Sequence, residues 1–158
     1  MTAMTDAISH EQFWQFSLKF WSAADKRAAL LQAQDQYFAD CNLIMLFYFL
    51  TLESVRIKNI ADLYKISSDD QRLILRPLRA ARAGLKNTDL YEQAKELELA
   101  AEKALQQKLV AAVHTQEIGA VAEKDQGAYL TAIIAEYLSY LSVIAPAQQA
   151  ANLVSKIY

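Results

Sequence analysis

Residues that break helices are scarce in this chain: three glycines and two prolines in 158 residues, with the glycines isolated at 84, 119 and 127. That scarcity excludes a collagen-like or low-complexity polymer and disfavours a turn-rich all-β fold. It also removes every phosphate-cradling loop, because neither G-x-G-x-x-G nor GxxxxGK[ST] occurs. The single cysteine, Cys41, has no internal disulfide partner, which fits a reducing, cytoplasmic setting. The two histidines, His10 and His114, fall in neither an HExxH nor a Glu-x-x-His pattern, so no metal site is expected. There is no G-x-S-x-G, and glutamates four apart on a helix lack the facing wall a glycosidase needs. No catalytic residue, cofactor or metal is therefore assigned, and the balance leans away from an enzyme.

Charge of one sign is also lacking. With net charge −2 the chain has no general attraction to nucleic acid or anionic membranes, so a nucleic-acid partner is not expected. The longest apolar run, LIMLFYFLTL at 43–52, is half the roughly twenty residues that a membrane span requires, and it predicts a buried core helix. The start, MTAMTDAISH, has neither the basic nor the apolar region of a secretory signal, and residues 1–8 read as disordered.

What is present is helical periodicity in a chain that is 54% hydrophobic, of a size for one domain. Ser9 with Gln12 makes a capping box, followed by Phe13, Phe16 and Phe20 at helical spacing. A second helix starts after Ser22 or Asp25 and carries Ala28, Leu31 and Phe38 inward. Asp40 caps a third, and Asn59 opens a short helical turn. Ser67 with Asp70, or Ser68 with Gln71, opens the next helix, which Asn87 and Thr88 close. Apolar positions 90, 94, 97, 101, 105, 109 and 112 make one long stripe. After a polar break around Gly119, Leu130 to Ile144 form another helix, and Pro146 suits the first position of a last one. The expectation is an all-α, compact single-domain bundle of seven or eight helices, with no strand pattern of useful length.

The stretch RPLRAARAGLK, residues 76–86, holds four cations and no acid. On a wheel of about 100° per residue, Arg72, Arg76, Arg79, Arg82 and Lys86 share one face. The following segment carries Asp89, Glu92, Glu96, Glu98 and Glu102 against one base, Lys95. A link of about two residues would make an antiparallel hairpin, setting Arg82 and Lys86 near Asp89 and Glu92 and the earlier arginines near Glu96 or beyond. The arginines are then paired internally, or some stay free to grip a carboxylate or phosphate. Pro77 either kinks this helix or marks its first turn. Asp40 and Asn42 stand before the most apolar run; an N-cap and a local turn bond explain them, and an arginine from 76–82 is an alternative mate for Asp40. Ten of the sixteen aromatics lie in the first 49 residues, as a bulky core or as an aromatic pocket.

Three stretches together, FWQFSLKFW (13–21), DCNLIMLFYF (40–49) and RPLRAARAGLK with LYEQAKELELAAE (76–86, 90–102), resemble a family of uncharacterised bacterial proteins known as a domain of unknown function, with FWxFSL, DxN and PLRxAR motifs. The resemblance covers residues 13–105; on this basis 9–112 form a family-like core and 113–158 a variable set of C-terminal helices. Cys41 stands where the family usually has an aliphatic residue. The resemblance implies no activity, cofactor or catalytic residue. Two functions are carried forward as expectations. The first is a non-enzymatic interaction or adaptor domain that binds a protein partner through a helical face. The second is a binder of a small anionic-headed ligand, with Arg76, Arg79, Arg82, Asp40 and Asn42 at its polar end and Trp14, Trp21 and Tyr48 around its apolar body.

Overall fold

A helix that is apolar on every side has to be wrapped by the others. In the computed structural model, which describes residues 8–158, that helix is α3 (Cys41–Leu52), buried without interruption from Cys41 to Thr51. Before it come α1 (His10–Ser22) and α2 (Ala24–Tyr37). After it a rod is built from α4 (Ala61–Asp70), a π-helical turn (Gln71–Leu75) and α5 (Arg76–Gly84). Then follow α6 (Tyr91–Thr115), α7 (Gln126–Tyr140) and α8 (Pro146–Ile157). The fold is all-α, with seven helices among the described residues if the rod is one helix and eight if α4 and α5 are counted apart.

One contiguous apolar cluster takes in residues from Ile8 to Ile157. α1 brings Phe13 and Phe20 to α3, and Phe16 lies 5.3 Å from Phe49 and 5.6 Å from Tyr48, ring centre to ring centre. α7 closes the opposite side with Leu130, Ile133, Ile134 and Tyr137, and α8 folds back against both α7 and α2. Each fully buried side chain of this kind contributes about 1.5–3 kcal/mol. Residues 1–7 of the stretch expected to be disordered lie outside the described residues; Ile8 is buried, and its carbonyl is 2.6 Å from His114 Nε2.

Several sequence signals are met. Ser9 Oγ accepts from Gln12 N at 3.0 Å, and Asp40 Oδ1 accepts from Asn42 N at 2.9 Å. Asn87 takes φ 68° after the rod, and Pro146 opens α8. Others are corrected. α2 turns Ala29, Leu30 and Ala33 inward, leaving Phe38 in the left-handed region and largely exposed. Two three-residue strands, β1 (Val55–Ile57) and β2 (Ile118–Ala120), pair antiparallel with Arg56 opposite Gly119, too short to leave an alternating pattern in the sequence.

The largest correction is the rod. No helix starts at Ser67 or Ser68; α4 starts at Ala61, where Asn59 Oδ1 accepts from Ala61 N at 2.9 Å, and runs on through the wide turn into α5. The Arg76 N–H donates to Gln71 O, one residue further back than in an α-helix. Pro77 explains the widening. Its ring would strike the carbonyl four residues earlier, that of Leu73, and a wide turn moves that carbonyl aside without ending the helix.

Candidate functional site

The sequence places oppositely charged faces on two neighbouring helices, and α5 and α6 do lie side by side. Arg79 Nη2 is 3.3 Å from Glu102 Oε1 and Arg79 Nε is 3.5 Å from Glu98 Oε1. Arg82 Nε bonds Glu98 Oε2. The expected register, with Arg82 and Lys86 over Asp89 and Glu92, is not adopted. The link occupies residues 85–90 rather than two residues, so α6 begins later and its acids meet the arginines further along. Arg72 leaves the ridge altogether and sits 3.7 Å from Asp69, because the wide turn rotates it away from Arg79.

Glu102 connects this clamp to the core. Asn42 Nδ2 donates to Glu102 Oε2, while Asn42 Oδ1 accepts from Gln106 Nε2 at 3.0 Å. Gln106 Nε2 also reaches Ser17 Oγ at 2.9 Å, and Ser17 Oγ donates to Phe13 O at 2.9 Å. Asn42 therefore ties α3 to α6 rather than making a local turn bond. Asp40 Oδ2 accepts from Ser67 Oγ at 2.6 Å, and the Asp40 N–H donates to Tyr137 Oη at 2.8 Å. Neutral donors, not an arginine, satisfy this buried carboxylate. Burial raises the Asp40 carboxyl above its ordinary range against the lowering effect of Ser67 and Asn42. Burial, then the charge of Asp40, raises Glu102, with Asn42 and Arg79 opposing. Burial first, then Asp40, pushes the Cys41 thiol up as well, so it is a poor nucleophile.

Of the residues expected to bind ligand, Asp40, Asn42, Arg79 and Arg82 join this network. The three aromatics lie elsewhere. Tyr48 is core, edge-on to Phe20 and Tyr158; Trp14 lies under Lys103 Nζ at 5.4 Å; the Trp21 carbonyl accepts from Arg27 Nη1 at 3.0 Å. Arg76 lies over Phe38, its guanidinium carbon 5.3 Å from the ring centre. Ser17, Gln106 and Tyr137 were not singled out as site residues from the sequence, and Ser67, expected to cap a helix, instead bonds Asp40. The one available signal was a small polar residue, Ser17, on the inward face one turn after Phe13.

Two concavities flank α5. A groove of about 570 Å³ runs between the rod and α6, lined by Leu73, Ile74, Pro77, Leu78, Leu97 and Ala100. A smaller hollow of about 270 Å³ lies beside α2, where Gln34, Asp35, Phe38, Gln71, Arg76 and Arg79 meet. Among the described residues no group of His, Cys, Asp and Glu is placed to hold a metal ion, and no helix is long and apolar enough to cross a membrane.

Residues 12–109 match the family described as protein of unknown function, DUF2390. The chain belongs to this family. No curated protein and no solved structure matches it. The region matched to DUF2390 contains the arginine clamp, Asp40, Asn42, Glu102, the groove and the hollow. It leaves out Tyr137 and all of α7 and α8, although these pack against the DUF2390 part of the core and bond to Asp40.

Proposed function

We propose that the chain is a non-enzymatic interaction domain that docks an amphipathic helix of a protein partner in the groove between α5 and α6. The observation that carries this is the apolar surface left uncovered there: Leu73 is 62% exposed and Leu97 57%. Scattered exposed leucines need no explanation, but here they line one trough with Pro77 and Ala100. A trough between two parallel ridges suits the ridge of a third helix, and the small Ala100 and Ala101 allow close approach. The clamp of Arg79 and Arg82 on Glu98 and Glu102 keeps the two walls at fixed spacing from the other side.

Charge selects the orientation of the occupant. In the link and the first turns of α6, Asp89 and Glu96 are exposed and neither makes an ion pair among the described residues, against one exposed cation of the link, Lys86. At the far end Asp70 is already held by Lys108 at 3.0 Å. The helix that fits is apolar on one stripe and basic at the end over Asp89 and Glu96.

The experiment is photocrosslinking in the native cell from a reactive group at position 97 or 100, with the crosslinked peptide mapped. The expected result is a crosslink to the apolar stripe of a helix with a basic end, lost in Ile74→Glu. Crosslinking no greater than from an exposed control position on α8, or crosslinks that map to no helix, would remove the proposal.

A further inference from the structure

The hollow beside α2 is independent of the groove and poses its own problem in charge. It contains two guanidinium groups, but Arg79 is committed to Glu98 and Glu102, leaving Arg76. Opposite stands one carboxylate, Asp35. Among the described residues Arg76 and Asp35 pair neither with each other nor with any other charged group. Two opposite charges that share a concavity and yet do not meet are matched by a ligand that carries both signs and spans the interval.

Three further features shape the site. The Arg76 guanidinium carbon lies over the Phe38 ring, 5.3 Å from its centre, a cation–π contact that uses none of the guanidinium N–H groups and so leaves them for a carboxylate. Phe38 holds φ 58° where it caps the end of α2, a conformation that a smaller residue adopts more easily, and is 68% exposed, so burial does not account for an aromatic ring at this position. Gln34 and Gln71 supply side-chain amides between the charges; Gln34 Oε1 meets Cys41 Sγ at 3.6 Å and Gln71 is buried.

We propose that this hollow binds a small zwitterion of the amino-acid class, with its carboxylate on Arg76, its ammonium on Asp35 and its side chain against Gln34 and Gln71. A volume of about 270 Å³ lies below the range of drug-sized sites and suits a single amino acid. A phosphate dianion is disfavoured, because Asp35 faces it and one free guanidinium cannot balance it. This replaces the ligand expected from the sequence, whose anionic head rested on three arginines, since Arg79 and Arg82 are occupied by glutamates.

The test is isothermal titration of the full chain with each of the twenty proteinogenic amino acids, followed for any binder by its N-acetyl derivative and by the amine lacking the carboxylate. At least one amino acid is expected to bind saturably, with both altered compounds weaker by about tenfold or more. Arg76→Ala and Asp35→Asn are each expected to weaken it by about tenfold or more, with unfolding curves unchanged because both side chains are at the surface. The proposal is overturned if none of the twenty binds, if the N-acetyl derivative binds as well, or if inorganic phosphate binds more tightly than any amino acid.

Discussion

The backbone N–H of Asp40 donates to the hydroxyl of Tyr137 across 97 residues, at 2.8 Å. An N-terminal helix position that would lack a donor's partner is satisfied by a side chain from a helix beyond the region matched to the family. Tyr137 is 1% exposed, so nothing from solvent replaces that hydroxyl. Tyr137→Phe keeps the ring and its packing on Phe47, yet leaves a buried N–H unpaired. It is expected to lower the unfolding free energy by about 1–3 kcal/mol, read as a shift of the urea midpoint at unchanged slope.

Three arginines of the rod should differ in importance. Arg79 bridges two glutamates, and Glu102 is a part-buried carboxylate with Asp40 nearby. Arg79→Ala is expected to cost about 1–3 kcal/mol, because it leaves Glu102 without its cation. Arg82→Ala should cost about 0.5–1 kcal/mol and Arg72→Ala, 64% exposed at its side chain, less than about 0.5. A double-mutant cycle of Arg79→Ala with Glu102→Ala measures the coupling. An equal loss for all three arginines would contradict the clamp.

Asp40 and Glu102 titrate above their ordinary values of 3.8 and 4.5, burial being the first cause for each. A raised carboxyl holds its proton more tightly folded than unfolded. The folded state is therefore favoured at low pH and loses that advantage as pH climbs through the raised values. Asp40→Asn with Glu102→Gln, which mimics the protonated pair, should flatten the fall in unfolding free energy as pH rises above the ordinary carboxylate range. Glu117, lowered by exposed Lys58, is present in both proteins and cancels in the comparison.

Phe38 ends α2 with its N–H bonded to Gln34 O at 3.0 Å and its backbone in the left-handed region. Glycine takes that conformation without steric cost, so Phe38→Gly should stabilise the fold by roughly 0.5–1 kcal/mol, seen as a higher Tm. The same change removes the ring over which Arg76 lies, and amino-acid binding in the hollow should weaken. Stabilisation without any loss of binding would separate Phe38 from the site.

The class of fold was legible because its signals are local: the Ser9 and Asp40 caps, the uninterrupted apolar run of α3 and the stop at Asn87 each act within a few residues. The acidic partner of the arginine ridge was legible for the same reason, since like charges crowded on each of two adjacent helices call for one another. The register was not, because it depends on where the 85–90 link ends and α6 begins, which balances several weak turn preferences. Nor was the mate of Asp40, since a hydroxyl from Ser67 and one from Tyr137 arrive only after long-range packing. The hollow was hidden by one misplaced residue. Phe38 reads as inward on a straight periodic count, and only its left-handed backbone turns it out beside Arg76.

Rotational phase follows from the wide turn at Gln71–Leu75. Each residue of an α-helix advances the chain by about 100°, and the wide turn already absorbs one extra residue, so a further insertion there would swing everything carried by α5 around its axis. Arg79 would lose Glu102, Arg76 would leave Phe38, and the trough would lose one wall, all from one added residue. The same insertion in the 85–90 link would merely lengthen the hairpin's end. Among homologous chains, length variation should accordingly collect at the link and avoid the five residues before Arg76.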